Sequence, residues 1–201
     1  LFVSVIVGIP IGVISATRPN TIIDYVSTLA ALVGQSVPSF FLGILLMLIF
    51  GVWLRVLPIS GKGDWRHMLL PAFTLAAFSL ARNMRLTRSS LLEVIQQDYV
   101  RTARAKGLSE RGVIYGHGLR NALLPLVTMI GLQLGFLLAG SVIVESIFAW
   151  PGVGRLIIDA IYNKDFSIVQ AGVTVLAISF TLVNLIVDLL YAWIDPRVRY
   201  K

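Results

Sequence analysis

Apolar residues fill long stretches of this chain, and charge interrupts them at wide intervals. Leu1–Thr17 carries no charge. Arg18 to Arg55 encloses 36 residues with Asp24 as the single charge. Arg66 to Arg82 encloses 15 uncharged residues. Arg120 to Arg155 encloses 34 with only Glu145, and Lys164 to Arg197 encloses 32 with three aspartates. A helix crosses a bilayer with about 20 apolar residues, so each gap holds one span. The pattern predicts about five: 1–16, 37–54, 67–84, 123–148 and 169–194. The third is short in its uncharged core and needs Arg82 and Arg85 to snorkel. Thr21–Val33 is a further helix, interfacial or the first half of a long kinked one, broken by Gly34-Gln35-Ser36-Val37-Pro38.

Pro58–Trp65 is rich in turn formers and reads as a short outer loop. A second outer connection spans about 149–166, with a short apolar helix at Leu156–Tyr162. Between the third and fourth spans lies the stretch 83–120, long for a connection and polar. Asp98 is placed to cap a helix carrying Arg101 and Arg104. Gly107 is a natural helix stop, and Ser109 is placed to cap a second helix, Glu110–Leu119. The loop therefore reads helix, glycine turn, helix. Its small residues Thr102, Ala103 and Ala105 suit close approach by another protein's backbone; a solvated connector is the plainer alternative.

Composition agrees with this pattern. The 201 residues are 57% hydrophobic and 13% charged, about half the charged content of a soluble domain. That excludes disordered and fibrous classes and leaves an all-α polytopic membrane protein. Net charge is +7. Five spans put Arg18, the eight basic residues from Arg82 to Arg120, and Arg197, Arg199 and Lys201 on one side, against five on the other. The positive-inside rule makes the richer side cytoplasmic and places the C-terminus there. The 83–120 stretch lacks the interleaved aromatics that stack bases, so nucleic acid is not expected as a partner.

Catalytic chemistry is sparse. There is no cysteine. There is no phosphate-binding glycine loop, no HExxH and no GxSxG. His67 and His117 are assigned to opposite membrane faces and share no metal. Neither a self-contained enzyme nor a metal centre is expected. Glu145 and Asp188 lie inside spans, as do Gln133 and Asn184, and intramembrane polar groups are candidate functional positions. Arg82, Arg85 and Arg88 recur along one helix stripe, as a membrane anchor or a carboxylate-binding row. On the residues alone, a transporter subunit, a self-contained secondary transporter or channel subunit, and a structural subunit of another complex all remain open.

Longer motifs narrow this. Asp98-Tyr99-Val100-Arg101-Thr102-Ala103-Arg104-Ala105-Lys106-Gly107-Leu108-Ser109 resembles the signature of ABC importer permease subunits of the dipeptide, oligopeptide, nickel and glutathione group. So do His117–Pro125, Gly140–Glu145, Phe148 with Trp150–Arg155, and the ending Asp188–Tyr191 with Asp195–Tyr200. Gly107 stands at the glycine of the broader family's Glu-Ala-Ala pattern and Ala103 at its second alanine. Arg101 and Thr102 replace the Glu and the first Ala; His117, Leu119 and Arg120 stand at its Ile, Leu and Pro.

The resemblance implies a type I ABC importer transmembrane domain, 1–201, lacking the family's first span. It implies a multi-pass subunit in a bacterial or archaeal cytoplasmic (inner) membrane, carrying peptides or related small solutes, nickel or glutathione among them. Its implied partners are a second permease subunit in a heterodimer, two cytoplasmic ATPase subunits that bind ATP and Mg, and an extracytoplasmic substrate-binding protein. This chain would bind no cofactor itself. ATPase coupling would fall on Asp98, Tyr99, Arg101, Thr102, Ala103, Arg104, Ala105, Lys106 and Gly107. Trp150, Pro151, Gly152, Gly154 and Arg155 would meet the binding protein.

Overall fold

A run of apolar and small residues forms α1, Phe2–Thr17. Pro10 sits inside it without ending it. Asn20, in the left-handed region at φ 61°, turns the chain. α2 then runs Ile22–Ser36 and stops before Pro38, which pushes the residue ahead of it out of helical conformation. α3, Ser39–Leu46, continues as a wider π segment, Met47–Trp53. After the turn-rich 54–65 connection comes α4, Arg66–Ile95. α5 is Asp98–Ala105. A second π segment, Gly112–Leu119, leads into α6, Arg120–Ala122, and then α7, Leu124–Ile147. α8, Val153–Tyr162, and α9, Phe166–Ile194, complete the order. The computed structural model describes residues 1–194; the side chains at 124, 135, 136, 138–140, 188 and 190–194 lie outside the description. Asp188, Tyr191 and the ending Asp195–Tyr200 therefore fall outside the described residues.

Each of the five predicted apolar segments is helical. Among the described residues, only Phe166–Val187 is by itself long and apolar enough to cross a membrane. Ile22–Ser36 with Ser39–Trp53 reaches that measure only when counted as one broken span; Phe2–Thr17 and Pro125–Leu134 are apolar but shorter.

The chain forms two compact units. The first combines Leu1–Ser36 with Phe78–Ile130. Its core begins where α1 meets α4. Gly8 faces the Leu80 carbonyl, and Gly12 faces the Met84 carbonyl and Thr87. Asn83 Nδ2 donates to Ser4 Oγ at 3.4 Å beside them. Below this contact, Val13 and Ala16 pack with Leu91 and Ala122, and Ala31 packs with Ala81 and Met84.

The second unit combines Val37–Ala77 with the described residues from Gly131 on. Phe148, Val144 and Leu70 form its centre, wrapped by Leu46, Met47, Phe50 and Leu57. The Gly61 N–H donates to the Phe148 carbonyl at 2.9 Å and ties the 54–65 connection to that centre. At the end of that connection Asp64 Oδ1 lies 2.9 Å from Nδ1 of His67 in the first turn of α4, which holds that exposed carboxyl below its usual range. α8 packs on α9, where Gly172 meets Ile157.

Two expectations change. The stretch 83–120 is not all connection, because α4 continues unbroken to Ile95. Ala81, Met84, Thr87 and Leu91 are buried at helical spacing, so the arginines among them belong to a continuing helix and do not mark its end; Arg85 is exposed, while Arg82 and Arg88 are half-buried. Nor does Asp98 cap α5. Gln97 is the N-cap, in extended conformation and without a side-chain bond. Asp98 stands in the first turn, where its charge suits the helix N-terminus, 3.7 Å from Arg101.

Candidate functional site

The 96–122 stretch is built from a small local core outward. Val100 and Ala103 on α5 face Val113 and Val94, and this cluster seats the helix. Asn121 Nδ2 donates to the Tyr99 hydroxyl at 3.0 Å and to the His117 carbonyl at 3.0 Å, pinning α5 to α6. Arg104 makes a two-bond fork to Glu110, at 2.8 and 3.3 Å. Thr102 Oγ1 donates to the Asp98 carbonyl.

The end of α5 is a full Schellman turn. Gly107 has φ +80°. Its N–H donates to the Arg104 carbonyl at 2.9 Å, and the Leu108 N–H to the Ala103 carbonyl at 3.4 Å. These two bonds satisfy carbonyls that a helix end leaves open. Ser109 Oγ then accepts from the Gly112 N–H at 3.3 Å, as expected of a cap. The helix that follows widens to π geometry over Gly112–Leu119.

This arrangement sorts the candidate residues. Asp98, Tyr99, Arg101, Thr102, Arg104, Ala105, Lys106 and Gly107 are exposed. Ala103 is not; at 7% exposure it belongs to the local core. Close approach from outside therefore rests on Thr102, Ala105 and Gly107. The surface they form is a short rigid knob: two cross-braces, a glycine-turned tip, and a row of cations.

The second candidate group lies around α8. Glu145 Oε2 accepts from the Arg155 N–H at 3.1 Å, across the turn that joins α7 to α8. Gly152 and Gly154 lie directly on that carboxylate, and a methyl on either would collide with it. Gly154 also meets the Val142 backbone. Glu145 is thus a cap for the first turn of α8, and the two glycines exist to let it in. Arg155 Nη1 donates to the Ala149 carbonyl, and its Nε lies 3.7 Å from Asp159. Pro151 is exposed, while Trp150 and Arg155 are half-buried. A cavity of about 210 Å³ opens beside Glu145, lined by Met68, Pro71, Leu75, Ser141 and Trp150 among others. Removing the cap should loosen this hairpin. Glu145→Ala is expected to cost about 1 kcal/mol, the usual loss of a helix cap, and to raise protease cleavage within 149–162. Glu145→Gln keeps an acceptor oxygen and should cleave like the parent. Equal cleavage in both variants would remove the capping assignment.

Gln133 on α7 is buried at 3% exposure, and Asn184 on α9 is half-buried. Among the described residues no group of three metal-ligating side chains comes together.

One feature escaped the sequence. Asp24, at 2% exposure, is the most enclosed carboxylate described. Arg88 donates from Nε to Oδ1 at 2.6 Å and from Nη2 to Oδ2 at 2.8 Å. Ser15 Oγ donates to Oδ1 at 2.5 Å, and the Asn20 N–H to Oδ2 at 3.0 Å. The neighbours of Arg88 on its stripe reach elsewhere: Arg85 to Gln35, and Arg82 Nη2 to Met129 Sδ at 4.0 Å. The sequence signal was present in the arginine stripe, but the acid lies 64 residues away.

Comparison with known proteins decides the family. Residues 8–200 match the family described as binding-protein-dependent transport system inner membrane component. The chain belongs to this family. It is 50% identical over 198 residues to the glutathione transport system permease protein GsiC of Pectobacterium atrosepticum. It is 49% identical to that of Salmonella choleraesuis and 48% to that of Escherichia coli K12. Each match covers 98% of this chain and 65% of the relative, so the chain spans less than two-thirds of their length. Membership establishes an inner membrane component of a binding-protein-dependent transport system, and its ordered elements among the described residues are helices.

Proposed function

We propose that the chain is the membrane-spanning part of one permease subunit in an ATP-driven importer, coupled to a separate ATPase through the knob that ends at Gly107. The observation that carries this reading is the knob itself: an eight-residue helix on its own small core, braced by Tyr99–Asn121 and Arg104–Glu110, with its Thr102, Ala105 and Gly107 surface open to a partner. A rigid element transmits a push, and a floppy connector does not. ATP would drive transport by favouring one of two states of the assembly, which requires that the ATPase grip this surface differently in each.

In this reading five helical segments, within α1, α3 with its π continuation, α4, α7 and α9, cross the bilayer. The basic 83–120 stretch and the C-terminus face the cytoplasm. A second permease subunit completes the pathway, and two ATPase subunits hold ATP and Mg; this chain catalyses nothing. The capped α7–α8 hairpin, with Trp150 and Pro151 at its corner, faces outward toward the substrate-binding protein. The relatives are named for glutathione transport, which supports a small peptide as the substrate.

The test uses the tagged full-length protein pulled from membranes in mild detergent. ATPase activity should come down with it and disappear when 98–107 is scrambled at unchanged expression. A well-expressed chain that never brings down an ATPase would point to a self-contained transporter.

A further inference from the structure

The Asp24–Arg88 pair is costly for a surface feature and well built for a tie. Its carboxylate is 2% exposed, and every donor that meets it comes from a different place: Ser15 near the end of α1, Asn20 in the turn, and Arg88 on α4. The fork is bidentate, the geometry that fixes orientation as well as distance. Arg88 stands seven residues before the end of α4, and α5 begins three residues after that end. The corner between α1 and α2 is therefore bolted to the stretch of α4 that leads straight into the knob. Around it Val13 and Ala16 pack with Leu91 and Ala122, Ile9, Leu92 and Ile95 lie among the side chains against them, and Gly12 sits close on α4. Close packing sets how near α1 and α4 lie. The two-bond ion pair adds a directional tie that fixes how the α1–α2 corner is oriented on α4.

We propose that Asp24 and Arg88 are positioning residues that make the α1–α2 corner move with α4 when the knob is pushed. The pair touches neither substrate nor nucleotide and acts through the helices it joins. This rests on the coupling reading above. The prediction is specific: breaking the tie should separate ATP hydrolysis from transport, not abolish assembly.

Single variants leave one partner unpaired, and Arg88→Met in particular strands a buried carboxylate, which is destabilising in itself. The informative variant is therefore the double neutral one, Asp24→Asn with Arg88→Met. Removing both charges together avoids the stranded ion, and asparagine can turn its oxygen to the Asn20 N–H and its amide NH2 to Ser15 Oγ, which accepts as well as donates. The full-length subunit is assembled with its partner subunits in proteoliposomes, and membrane abundance, ATPase activity and uptake are measured together. Arg88→Met is expected to accumulate poorly. The double variant should regain abundance and ATPase activity, while uptake per ATP stays about tenfold below the parent, within the usual range for coupling between sites.

Uptake per ATP at the parental level in the double variant would overturn the proposal and leave the pair a purely structural bond. So would a double variant that fails to accumulate, since the pair would then be needed to fold the corner. Failure of the coupling reading is distinguishable, because the parent itself would then show no ATP-dependent uptake.

Discussion

Replacing Gly107 with valine is expected to abolish ATP-driven uptake while the protein still reaches the membrane. The argument is one of backbone, not space. No atom lies within 4 Å of where a side chain would begin at Gly107, so sterics are not the obstacle. The obstacle is φ +80°. An ordinary L-residue pays about 1–2 kcal/mol there, and a β-branched one is a genuine outlier. The Schellman turn would open, freeing the Ala103 and Arg104 carbonyls and swinging the tip away from its braces. α4 and the packing of α1 upon it would be untouched, so abundance should hold. Asparagine tolerates the left-handed region, so Gly107→Asn should retain most uptake. Uptake and membrane abundance are read on the full-length complex for both. Normal uptake in the valine variant would dismiss the turn as a coupling element. Equal loss in both would mean that the partner's backbone needs the missing side chain, not the φ angle.

Local features were the ones visible beforehand. Gly107 announced a stop because few residues but glycine take its φ. Pro38 announced a break because it constrains the residue before it. Ser109 capped the next helix three residues on, within reach of sequence reading. Each is settled within four residues. What was hidden depended on distance along the chain or on which way a face turns. The run of arginines from Arg82 looked like a boundary, since counting charges does not show that Ala81, Met84, Thr87 and Leu91 alternate with them on a buried side. Ala103 looked like contact surface because it is small, but its partners Val94 and Val113 lie nine and ten residues off on either side. Glu145 looked like an intramembrane acid because it falls inside an apolar run. Its use as a cap emerges only when the Ala149–Gly152 turn folds Arg155 back onto it. Asp24 showed only as the single charge between Arg18 and Arg55.

Gly12→Leu should be the most damaging single change in the first unit. The position is closed by backbone, which does not step aside as a side chain does. A Cβ there would lie 2.6 Å from the Met84 carbonyl oxygen and 2.6 Å from Thr87 Cβ. Gly8, one turn earlier, meets the Leu80 carbonyl at 2.9 Å in the same way. To admit leucine, α1 must withdraw along a whole turn, which would also strain the Ser4–Asn83 bond and the reach of Ser15 to Asp24. Overpacking of ordinary cores costs about 1–3 kcal/mol, and a backbone obstacle puts this case at the upper end. A loss of about 3 kcal/mol lowers the folded-to-unfolded ratio roughly a hundredfold, enough to hand the chain to cellular proteolysis. Full-length Gly12→Leu is therefore expected to be degraded rather than to accumulate, with Gly12→Ala intermediate. Gly116→Ala is the control: it also replaces a helical glycine, but nothing lies within 4 Å of its Cβ, so its abundance should stay near the parent. If Gly12→Leu accumulates as well as Gly116→Ala does, α1 is not seated on α4 by these glycines. The Asp24–Arg88 pair would then be the main bond holding the α1–α2 corner in place.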